Sequence, residues 1–139
     1  MARPADWSSL GYSSDPIPGE PTRVDLFGRQ YIGTADSIVR AAANLEVALR
    51  DDFAQSDAID AIREAATDVS RRIVKAGDRY RGVGDAIVAY ALQLTGAQAE
   101  SRAALTSADT ARTAASSARN MGNYCDHEVN DPETAPANV

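Results

Sequence analysis

Near its C-terminal end the 139-residue chain places Tyr124, Cys125, Asp126, His127 and Glu128 in one run. A thiol, an imidazole and two carboxylates are the groups of nucleophilic catalysis and of metal ligation. Both chemistries need side chains that converge from fixed elements, whereas consecutive residues point apart. Cys125 is the single cysteine and His127 the single histidine, so the chain offers no second residue of either type. The run therefore defines no catalytic residue and no metal ligand set, and no cofactor is expected. A second candidate, "RGVGD" at residues 81–85, has glycines that could cradle phosphate. Such loops follow a strand, and this one lies inside a helical repeat. The sequence reads as that of a non-enzymatic protein.

Composition narrows the partners. Fourteen basic and 20 acidic residues give a net charge of −6, which argues against nucleic acid or an anionic membrane as the main target. The longest apolar run, "AIVAYAL" at residues 86–92, is too short to cross a bilayer, so no membrane insertion is expected. No apolar stretch follows Arg3, which excludes a Sec-type leader. Only 6% of residues are aromatic, as suits slender, closely packed helices in one domain.

Three segments are expected. Residues 1–20 contain Pro4, Pro16 and Pro18 among Ser and Gly, and read as an extended leader. Trp7 is the anchor by which this leader could dock onto a helix. Residues 21–121 read as a helical hairpin. Pro21 suits a first helical turn because it has no N–H to lose. From there Val24, Tyr31, Ala35, Ile38, Ala42, Leu45 and Leu49 form one stripe. Ser56 is a plausible N-cap for a second helix, and the short connection implies antiparallel packing. Residues 122–139 read as a flexible acidic tail, with Gly122 ending the helix.

The second helix carries the strongest pattern. Alternating steps of three and four connect Ile59, Ile62, Ala66, Val69, Ile73, Ala76, Tyr80, Val83, Ile87, Tyr90, Leu94, Ala97, Ser101 and Ala104, and continue to Ala118. Gly77, Gly82, Gly84 and Gly96 fall between these positions. The mean spacing is the coiled-coil period, so the fold class expected is all-α, an antiparallel hairpin with a long, coiled-coil-like second helix. A break between Gly77 and Gly84 is the alternative to a continuous helix. At 1.5 Å per residue the second helix reaches about 95 Å and the first about 46 Å. The first helix then covers only the first half of the stripe. Ile87, Tyr90, Leu94, Ala97 and Ala104 are left as an interface for another helical hairpin or a second copy. The alternative is that the leader folds back over them.

These residues carry a resemblance. "MARPADWSSLGYSSDPIPGEPTRV" and "RYRGVGDAIVAYALQLTGAQAESRAAL" resemble the N-terminal helical-hairpin domain of actinobacterial proteins associated with type VII secretion. That domain is similar to the WXG/ESX superfamily and often precedes a toxin module. The matching features are Trp7-x-x-Leu10-Gly11, the Pro-Gly-Glu-Pro run at 18–21, Arg79–Tyr80, and Asp85–Ala86–Ile87 with Tyr90 and Ala91. The Trp-x-Gly turn that names the superfamily is absent, and Phe53 is the one aromatic candidate for its role. The resemblance implies a Tyr-x-x-x-Asp/Glu export signal after the second helix, and Tyr124 with Glu128 fits that pattern. It further implies export by a Sec-independent route, recognition by a secretion-machinery component, and dimerisation with another hairpin. A cytoplasmic adaptor or chaperone for a secreted effector, or a structural coiled-coil dimer, are the alternatives.

Overall fold

The computed structural model of the chain describes the backbone of residues 3–50 and 56–129, and the side chains of 3–49 and 56–124. Among the described residues it is all-helical, without a strand. A short 3-10 turn, Ser8–Leu10, precedes α1, Pro21–Arg50, and α2, Asp57–Val129. Helix α1 starts at Pro21 as expected, with Glu20 lending its carbonyl to the N–H groups of Arg23 and Val24. Helix α2 is capped by Ser56, whose Oγ accepts the Ile59 N–H at 3.4 Å. It runs unbroken through Gly77, Gly82 and Gly84, and also through Gly122, where the sequence pattern had placed its end. Gly122 has helical neighbours on both sides, and the helix reaches Val129. Phe53 lies outside the described residues.

The chain divides into two compact units. One is Gly19–Gly96; the other combines Met1–Pro18 with Ala97–Val139. The leader is grouped with the C-terminal part of α2.

In the Gly19–Gly96 unit, α1 packs against residues 57–96 of α2 along a seam of small residues. On α1 the seam runs through Gly28, Ala35 and Ala42, all buried. On α2 it runs through Ser70, Gly77, Gly84, Ala91 and Leu94, also buried. A Cβ on Gly28 would stand 2.9 Å from the Gly84 carbonyl oxygen, and one on Gly84 would stand 2.8 Å from that of Gly28. Real side chains do not tolerate such distances, so the two helix backbones touch only because both residues lack a Cβ. At Gly77 an added Cβ would stand 3.0 Å from the Val39 Cγ2 methyl. Ser70, deep in the seam, donates its hydroxyl to Glu46 Oε1 at 3.1 Å, which satisfies the one buried polar side chain there.

In the other unit the leader is fastened to residues 98–112 of α2. Trp7 is 1% exposed, and its Nε1–H donates to the Pro4 carbonyl at 3.0 Å. The Arg3 guanidinium lies over the indole, 5.0 Å from its centroid. Gly11 closes the 3-10 turn at φ 80, a left-handed conformation that glycine adopts without strain.

Candidate interaction site

The seam corrects the sequence pattern by one residue. Of the stripe expected to face α1 over its first half, Ile62, Val69, Tyr80 and Val83 are exposed, while Ile59, Ala66, Ile73 and Ala76 are half-buried. The buried line runs beside it through Ser70, Gly77, Gly84 and Ala91, and meets it at Leu94. The physical reason is the close approach of the two helices. Small residues fill the contact where backbones touch, which displaces the larger apolar side chains to the flank of the pair. Gly77 and Gly84 are thus on the packing line, while Gly82 and Gly96 face open space.

One flank of the Gly19–Gly96 unit is consequently aromatic. Tyr31 of α1 and Tyr80 of α2 stack across the seam with centroids 5.7 Å apart and planes 28° from parallel. Phe27 is one helical turn from Tyr31, and Val83 and Ile87 continue the same side of α2 beyond Tyr80. Phe27 is 53% exposed, Tyr80 43% and Tyr90 56%. The opposite flank is charged. Arg81 pairs with Asp36 there, and Arg29 with Asp25 at 2.7 Å. The hydrogen bonds these guanidinium groups donate to Asp36 and Asp25, reinforced by the carboxylate charge, hold the two arginine pKa values above the ordinary one.

The residues proposed from sequence as an interface do not stay together. Tyr90 is exposed and Ala104 is exposed, Ile87 and Ala97 are half-buried, and Leu94 is buried at 7% exposure. Leu94 is covered because the chain passes over it at Gly19, where an added Cβ would stand 3.3 Å from Leu94 Cδ2. Phe27, Tyr31 and Tyr80 take its place. The sequence signal for them was their aromaticity at positions that flank, and do not occupy, the glycine line.

Trp7 sits in a different environment, a polar clamp. Arg3 Nε donates to Asp15 at 2.7 Å and a second guanidinium nitrogen reaches the other carboxylate oxygen. Arg3 Nη1 donates to the Gln98 carbonyl at 2.9 Å, and Gln98 Nε2 donates to the Ile17 carbonyl at 3.0 Å. Farther along, the Ser9 hydroxyl donates to Asp109, and Arg112 donates to Ser9 Oγ at 3.2 Å. The hydrogen bond from Arg3 holds the Asp15 carboxyl below its usual range, helped by the Ile17 N–H. The Asp6 carboxyl is lowered by the hydrogen bond from the Ser8 N–H.

Tyr124 is 67% exposed on the last turns of α2. The side chains of Cys125, His127 and Glu128 lie outside the described residues. Among the described residues no group of three or more His, Cys, Asp or Glu could hold a metal, and no helix is long and apolar enough to cross a membrane. Comparison of the chain with protein-family models, with curated proteins and with solved structures gives no match.

Proposed function

We propose that the chain is a non-enzymatic recognition module that travels, or carries cargo, through a type VII-like export route as a folded helical hairpin. One observation carries the recognition part of this reading. Phe27, Tyr31, Tyr80 and Tyr90 are each more than a third exposed on one helical pair, and clustered exposed aromatic surface marks a place where another protein binds. The export part rests on the family resemblance and on Tyr124, exposed on the surface four residues before Glu128.

Expression in a host with an active type VII system tests it. The chain is expected in the culture supernatant, and Tyr124→Ala should retain it in the cytosol at an unchanged level. Normal export of Tyr124→Ala removes Tyr124 from the mechanism. Cytosolic retention of both forms replaces export with the adaptor reading.

A further inference from the structure

The aromatic flank is bordered on the α2 side by two arginines without an acidic partner among the described residues. Arg72 and Arg79 are exposed on α2. They are seven residues apart, and Arg79 precedes Val83, Ala86 and Tyr90 in steps of four, three and four, so all lie along one side of the helix. Among the described residues neither arginine enters an ion pair or hydrogen bond. Asp68, one turn before Arg72, is taken by Arg71 at 2.7 Å. The facing border on α1 exposes Gln30, Thr34 and Ala41, and its one arginine, Arg23, seven residues before Gln30, is paired with Glu20 at 3.8 Å.

We propose that this face receives an amphipathic helix of a second protein whose apolar stripe is bordered on one side by acidic residues seven apart. The inference rests on the recognition reading above and specifies the partner. A helix laid over the Tyr31–Tyr80 stack would bury its apolar stripe on the rings. Its border residues would then meet Arg72 and Arg79, which stand about 10.5 Å apart along the axis. Carboxylates at the same heptad spacing match that interval, and Arg offers each a bidentate partner.

A second copy of this chain matches less well. Its equivalent face brings the same two arginines on one border and Arg23, Gln30, Thr34 and Ala41 on the other, and its one acid there, Glu20, is already paired with Arg23. Its acidic groups near the seam, Asp25 and Asp36, lie on the other flank and are already paired.

Titration calorimetry on the full chain decides the matter with two synthetic three-heptad peptides. Both carry the same leucine stripe; one has Glu along its border, the other Lys. The Glu peptide should bind at least about tenfold tighter than the Lys peptide, and the difference should shrink as salt rises. In the double variant Arg72→Glu/Arg79→Glu the order should reverse, with circular dichroism and melting unchanged. Tyr80→Ala should weaken both peptides together. Equal binding of the two peptides, no binding of either, or an order that survives the double variant would overturn the proposal. So would sedimentation showing a dimer that Tyr90→Glu dissociates, since the face then belongs to a second copy. The readouts do not involve secretion: lost export with intact peptide selectivity counts against the export route alone.

Discussion

Gly28 and Gly84 face each other across the helix pair so closely that a Cβ on either would meet the backbone oxygen of the other. The contact sets the separation of α1 and α2, and through it decides which residues are inside.

The glycines in α2 should therefore respond oppositely to alanine. Gly84→Ala gains helix propensity of up to about 1 kcal/mol but forces the helices apart, and overpacking of this kind costs about 1–3 kcal/mol. A net loss of stability is expected. At Gly82 nothing lies within 4 Å of an added Cβ, so Gly82→Ala should stabilise by up to about 1 kcal/mol. Urea unfolding of the two variants checks the contrast, and equal effects would show that the close approach is absent in solution.

Leu94 and Tyr90 form a second contrasting pair. Leu94 is buried and Tyr90 exposed, so Leu94→Ala should cost about 2 kcal/mol or more, and Tyr90→Ala should stay within about 0.5 kcal/mol. Thermal melts followed at the helical dichroism minimum distinguish them. A larger loss at Tyr90 would mean that the sequence stripe, and not the glycine line, is the packed face.

The leader should loosen in acid. The carboxyls of Asp15 and Asp6 are both lowered in the folded chain, by Arg3 and by the Ser8 N–H. A lowered pKa means that the stabilisation is present above the unfolded value of about 3.9 and is lost as pH falls through the lower, folded value. Trp7 is the single tryptophan, so its emission reports the leader directly. A red shift is expected on acidification below about pH 4, with much of the transition missing in Asp15→Asn. Emission that stays constant to pH 2 would show that the clamp does not depend on these carboxylates.

Tyr31 and Tyr80 should be energetically coupled. Stacked rings contribute about 0.5–1.5 kcal/mol beyond their buried area, and partial exposure places this pair near the lower end. A double-mutant cycle on stability, Tyr31→Ala with Tyr80→Ala, measures it. Simple additivity would mean that the rings do not stay stacked.

The sequence revealed the elements more readily than their faces. Pro21 and Ser56 mark helix starts through chemistry local to them, and both hold in the structure. The apolar positions of α1 from Ala35 to Ala42 also lie on its packed side. The packed side of α2 was misread because hydrophobic periodicity identifies the seam only when large residues fill it. Here Gly77, Gly84 and Ser70 fill it, and glycine carries no apolar signal. Leu94 was misplaced for a related reason: its cover is the backbone near Gly19, a chain path that no spacing encodes. The candidate site was half legible, since Tyr90 was named for exposure while Tyr80 was assigned to the core.

The hydrogen bonds between the leader and α2 join residues 81 to 103 positions apart, from Ile17 with Gln98 to Ser9 with Arg112. The leader thus finds its place only after residues 98–112 have followed it in synthesis. At ordinary elongation rates of about 5–20 residues per second, that wait is on the order of 5 to 20 seconds. Throughout it Trp7 is bare while α1 and the first part of α2 can already pair. Whatever meets the nascent chain over this interval meets an uncovered tryptophan, and chains interrupted before Gln98 keep it uncovered.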